Sequence, residues 1–294
     1  MTTAHEVTNK EVERKAEKRQ DKGESFLVGL VRGNSFTPAL SILVFFLIWE
    51  AAVRLSGANQ LLMPPPTLVF ARLLELLGPG SGAAPSFLMF RHIGMTLFAM
   101  LSGFVIASIF SSALGLLMGM NRIVYAWLNP IISLFMVIPN IAFVPIIVLW
   151  LGLGLKTVIT VVVTGACFPI IYTAAAGVRN VPTKMIWAAQ TAGASRFQIL
   201  RTVLIGATMP YLIEGHRLGL GLAWRAVIAG EIFASTKYGV GFLIYDARTF
   251  LDTAAMFSGI MVVGIIGVTL QRVVFGFIER RTVDKWGVSA AKHI

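Results

Sequence analysis

The residues best placed to do chemistry in this 294-residue chain are charges set inside apolar stretches. Between Ala207 and Phe233 an otherwise apolar run carries Glu214, Arg217, Arg225 and Glu231. An ionisable group in a membrane-crossing stretch costs on the order of several kcal/mol unless paired or hydrated, so each is a functional candidate. At helical spacing Arg217, Gly221, Trp224, Ile228 and Glu231 share one face, and Arg225 lies about 80° off it. Glu214 can pair with Arg217 one turn later, a structural role. Arg225 lacks such a local partner. It needs a carboxylate from another helix or a second subunit, or an anionic solute; both solutions stay open. A guanidinium keeps its charge when partly buried and offers five directional donors, which suits a small oxyanion.

Enzyme chemistry finds no support. There is no Gly-x-x-x-x-Gly-Lys-Ser/Thr, and the dipeptide Gly-Lys does not occur in the sequence, so this chain cradles no ATP in a P-loop. His5, His92, His216 and His293 lack ligand spacing, and the single cysteine, Cys167, excludes an internal disulfide and a multi-cysteine metal site. No paired intramembrane carboxylates and no nucleophile with its base stand out. The chain reads as non-catalytic, with no metal or cofactor of its own.

The elements that position these charges are membrane spans. Hydrophobic residues make up 56% of the chain and charged ones 13%, with a mean hydropathy of +0.78. A soluble domain carries about a quarter charged residues, so this is an all-α polytopic membrane protein. The net charge of +11 does not point to nucleic acid, because the basic residues sit between apolar spans. Residues 1–34 read as a polar tail, 35–280 as the membrane domain and 281–294 as a second tail. Phe36–Leu55 is long enough to cross a hydrocarbon core of roughly 30 Å. Pro64-Pro65-Pro66 marks an extended stretch outside it, and Thr67–Leu77 is helical but too short to span. Arg91–Met120 is the second span, with Gly115 and Gly119 as a small-xxx-small pair. Tyr125–Leu151 holds Pro130, Pro139 and Pro145 and must be kinked or broken. Broken spans occur where backbone lines protein or a water-filled cavity, which makes Pro139 and Asn140 pathway candidates beside a purely structural kink. Thr157–Val178 is the fourth span, interrupted at Pro169, and Ala207–Phe233 the fifth. Ala234–Thr253 reads as a loop, and Ala254–Ile278 as the sixth span.

Between the fourth and fifth spans lies the longest polar-bearing interval after the first third of the chain, within residues 180–206. Ala188, Ala189, Gln190, Thr191 and Ala192 form a helix of small residues, Gly193 stops it, and Ser195 caps a second helix over Arg196–Val203. Such a knob suits close docking of another protein; an ordinary amphipathic connector is the alternative.

The run Ala188-Ala189, three residues, then Gly193-Ala194-Ser195-Arg196 resembles the coupling loop of ABC-importer permeases, with Trp187 where that motif has Glu and Gly206 where it often has Pro. Met63–Pro66, Trp150-Leu151-Gly152-Leu153-Gly154, Gly215–Gly221, and Tyr238–Gly241 through Asp246-Ala247-Arg248 are similar to the sulfonate/taurine/nitrate-type permeases, covering roughly residues 38–286 in order. The resemblance implies a type I importer permease fold. It also implies a second copy of the permease, two separate ATPase subunits that hold ATP and Mg, and an external solute-binding protein. On it Ala188, Ala189, Gly193, Ala194, Ser195 and Arg196 couple to the ATPase. Trp150–Gly154 leans toward the sulfonate/taurine branch, a small and anionic solute. The alternatives are an ion-coupled secondary transporter and a cargo-free assembly or sensor subunit.

Orientation follows from the basic residues. If the first tail is cytoplasmic, sixteen Lys and Arg fall inside, six outside and three (Arg217, Arg225, Arg272) within spans. That bias matches the positive-inside rule with both termini cytoplasmic in a bacterial inner membrane, and it puts the Gly193 loop where an ATPase reaches it.

Overall fold

The computed structural model describes residues 36–57, 59–79 and 86–282, and every regular element among them is helical. The expected tails 1–34 and 281–294 lie outside the described residues, apart from the last turn of the final helix. In order, α1 is Phe36–Leu55, α2 Pro66–Leu77, α3 Leu88–Met120, α4 Arg122–Val137 and α5 Val144–Leu151. Then come α6 Leu155–Arg179, α7 Thr183–Thr191, α8 Ile205–Ala234, α9 Val240–Thr249 and α10 Thr253–Thr282.

The chain divides after Thr67 into two compact units. In the first, Glu50 on α1 accepts from Arg54 Nε at 2.6 Å and from Thr67 through its N–H (3.1 Å) and hydroxyl (3.0 Å). These bonds are exposed, so the ion pair is screened by solvent and adds little to stability.

The second unit is built on α6. Of its most apolar window 56% is buried, against 28% for α3 and for α10, which leave large apolar side chains such as Phe98, Phe110 and Ile265 outward. Val158, Val162, Ala166 and Ile170 of α6 pack between Ala99, Met100 and Ala107 of α3 and Leu220, Ala223 and Val227 of α8. Small residues permit the approach: a Cβ on Gly115 would stand 2.6 Å from Ala174 Cβ, and one on Gly119 2.6 Å from Val178 Cβ. The small-xxx-small pair therefore lies within the α3–α6 contact.

Three expectations need correction. Pro169 does not interrupt its span; α6 is one 25-residue helix with Pro169 buried inside it. Neighbouring helices compensate for proline's missing bond in a packed span, so the break is not obligatory. Second, Ala234–Thr253 is not simply a loop, because it holds α9, whose Val240, Leu243 and Ala247 are buried. Third, the helix after Ser195 does not end at Val203. It passes through a π-helical stretch, Ile199–Leu204, directly into α8. The expected break in the third span is present: α4 and the Asn140–Leu151 segment meet at 98°. Pro139 alone makes it, since Pro130 is accommodated inside α4 and Pro145 sits at the start of α5, where its missing N–H costs nothing.

By length and composition α3, α6 and the described part of α10 can cross a membrane, and the bent pair makes a fourth span if taken as one. At the far corner Arg72 of α2 holds Asp252 (2.7 Å) and Glu75 (2.6 Å), Asp252 caps Ala255 N–H, and Ser258 donates to Val69 O. Together these bonds fix α2 to the start of α10.

Candidate functional site

The loop between α6 and α8 builds itself from local sequence. Gly193 takes φ +78°, a left-handed conformation that glycine adopts without strain. Its N–H donates to Gln190 O (2.9 Å) and the next, Ala194 N–H, to Ala189 O (3.0 Å), the paired bonds of a Schellman stop. Ser195 then opens the following turn with a capping box: its Oγ accepts from Gln198 N–H, and Gln198 Oε1 accepts from Ser195 N–H at 2.7 Å. Ala188, Gly193, Ser195 and Arg196 are exposed, and Ala189 and Ala194 half-buried. Sequence reasoning missed the apolar content of this surface. Met185, Trp187 and Phe197 are 49%, 62% and 69% exposed on one short loop. The signal was available, since all three fall in a polar-bearing interval with no partner on their own helix.

The pathway candidates scatter. Pro139 and Asn140 line a cavity of about 170 Å³ at the break, with Phe135, Thr164, Phe168 and Leu222 around it. Asn140 is engaged there: Nδ2 donates to Val161 O (3.2 Å) and Oδ1 accepts from the Thr164 hydroxyl (3.0 Å), which ties the broken segment to α6. Arg225 is exposed on α8, one turn after the cavity-lining Leu222, and is not itself part of that lining. Arg217 is also exposed, and the Glu214–Arg217 pair that their spacing allows is not formed; among the described residues neither arginine makes an ion pair. The other two candidates point into the protein. Trp224 is 8% exposed with its indole against Gly267 of α10. Glu231 is 1% exposed and bonds to the start of α9. Packing divides that stretch of α8 between an outward arginine and two inward side chains. Among the described residues no cluster of three or more metal-ligating side chains occurs.

Residues 111–284 match the family model described as the binding-protein-dependent transport system inner membrane component. The chain is 33% identical over 231 residues to the taurine transport system permease protein TauC of Escherichia coli, covering 79% of this chain and 83% of that one. It is 33% identical over 250 residues to the riboflavin transport system permease protein RibX of Chloroflexus aurantiacus, covering 85% and 90%. The fold is shared with a chain of the inward-facing MetNI methionine ABC transporter, at TM-score 0.55 and 21% identity over 66% of this chain and 97% of that chain. The fold is that of a type I importer permease, and the family match and the relatives show that the chain belongs to the binding-protein-dependent transport system inner membrane component family and is a transmembrane subunit of an ABC importer.

Proposed function

We propose that two copies of this subunit stand side by side in a bacterial inner membrane and form the pathway for a small anionic solute between them, an organic sulfonate of the taurine kind being favoured. Six spans, α1, α3, the bent α4–α5 pair, α6, α8 and α10, put both termini in the cytoplasm. Two ATPase subunits, which hold ATP and Mg, dock on the 180–206 loop, and an external solute-binding protein delivers the cargo. This chain does no catalysis. ATP-driven closure of the ATPases draws the two Gly193 loops together and turns the pathway outward, and hydrolysis resets it.

The single observation behind the solute class is Arg225: an exposed guanidinium on α8, unpaired among the described residues, one turn after the cavity-lining Leu222. A fixed charge left on the surface of one subunit in such a position needs a partner from outside that subunit. The taurine relative supports a sulfonate, whereas the riboflavin relative shows how widely the family's named cargoes range. In proteoliposomes with the ATPase and the binding protein, Arg225→Gln should abolish most flux while membrane yield and ATPase copurification persist. Arg225→Lys should recover part of the flux, because the charge remains and the planar fork is lost. Poor yield of both variants would assign Arg225 to a structural pair across the subunits, and full flux of a well-assembled Arg225→Gln would overturn the pathway role.

A further inference from the structure

The connection from α8 to α9 closes around a carboxylate with one oxygen fully supplied and the other bare. Glu231 Oε2 accepts from Gly241 N–H at 2.9 Å and lies 3.0 Å from the Thr96 hydroxyl. That hydroxyl accepts from Val240 N–H at 2.8 Å and lies 3.0 Å from His92 O. His92 Nδ1 accepts from Gly239 N–H at 3.0 Å and stands 2.8 Å from Gly239 O. Glu231 Oε1 is buried and has no partner among the described residues. A buried carboxylate oxygen facing neither donor nor cation is a costly arrangement, and a neutral carboxyl would leave Oε1 equally alone.

A cavity of about 160 Å³ opens beside this carboxylate. Its lining combines Glu231 with the ring of Tyr238 and with apolar walls from Met95 and Val158. A carboxyl oxygen without a partner, an aromatic ring and apolar walls together make the recognition set for an alkylammonium group, whose charge takes the first two and whose carbons take the third. Lys237 lines the same cavity, and its Nζ stands over the Tyr238 ring, 5.3 Å from the centroid. Lys237 and Glu231 line the one cavity, and a flexible four-carbon stem leaves the ammonium free to reorient within it.

We propose that the Glu231 cavity is a seat for an alkylammonium group, and that its occupant is the Lys237 side chain of the same chain. Seated there, Lys237 joins the Ser235–Gly239 turn to Glu231, and through Thr96 and His92 to α3. The seat thereby latches α9 and α3 together at the end of α8 away from the Gly193 loop.

The test uses the full transporter, permease with its ATPase, purified in lipid nanodiscs. Thermal unfolding is measured for Lys237→Met, Glu231→Gln and the double variant; the glutamine keeps an acceptor for Gly241 N–H. Each single variant should melt several degrees lower, and the double variant no lower than Glu231→Gln alone. Additive losses, or no loss in Lys237→Met, overturn the proposal. Should Glu231→Gln fail to assemble, a second arm stands without it. Lys237→Ala should regain its lost melting temperature in methylammonium chloride but not in sodium chloride of equal ionic strength. Equal behaviour in the two salts means a cavity filled by water alone and overturns the proposal. Neither arm reads transport, so failure here leaves the Arg225 pathway untouched.

Discussion

The two ends of α8 are each reached through a glycine at positive φ, and they are built in opposite ways. Gly193 holds φ +78° with nothing within 4 Å of where a Cβ would stand. Gly239 holds φ +145°, and there a Cβ would stand 2.5 Å from the Glu231 carboxyl carbon. The turn at Gly193 is closed by bonds among Ala189, Gln190, Ser195 and Gln198, all neighbours in sequence. The turn at Gly239 is closed by His92 and Thr96, which are 147 and 144 residues from their partners. A loop that makes its own shape keeps its outer surface free for another protein. A turn shaped by distant side chains reports on the packing of three helices.

The sharpest way to break this comparison is Gly239→Ala. Overpacking against a buried carboxyl group and a left-handed backbone each cost about 1–3 kcal/mol, so the variant should lose most of its folded yield, measured as detergent-stable protein by size-exclusion chromatography. Normal yield would mean the turn is looser than the Glu231 network implies. Thr96→Val comes next. Removing the hydroxyl strands Val240 N–H and takes one donor from Glu231, a loss of about 1–3 kcal/mol to be read from thermal unfolding of the complex. Gly193→Val should be milder for the fold, about 1–2 kcal/mol of backbone strain with no clash, yet should detach or uncouple the ATPase. Gly193→Asn, which tolerates the same φ, should keep copurification near the native level, and equal loss in both variants would refute a purely conformational role.

Legibility from sequence divides along the same line. The Gly193 stop and the Ser195 cap were readable because each depends on residues within four positions. The break at Pro139 was readable too, although Pro130 and Pro145 gave the same signal without breaking anything. Pro145 falls in the first turn of α5, where no N–H bond is lost, and Pro130 is carried inside α4. Helix α9 was not readable as a helix, because its N-terminal N–H groups are taken by Glu231, Thr96 and His92 rather than by a local Ser, Thr, Asp or Asn. Its apolar stripe of Val240, Leu243 and Ala247 was too short to outweigh the turn formers before it. For the same reason Glu231 read as a pathway charge: spacing puts it on the face of Arg217, and only tertiary packing turns it inward. Arg225 is exposed on α8 and makes no ion pair among the described residues.

The central claim, that the self-built loop at Gly193 is the seat of a cytoplasmic ATPase, is tested most directly by thiol labelling. With Cys167→Ser as background, Thr191→Cys places one exposed thiol on α7 without disturbing the Gly193 stop or the Ser195 cap. An impermeant maleimide should leave it unlabelled in intact cells, label it in inside-out vesicles stripped of the ATPase, and label it slowly once the ATPase is restored. Labelling from outside the cell, or the same rate in stripped vesicles with and without the ATPase, would contradict the account.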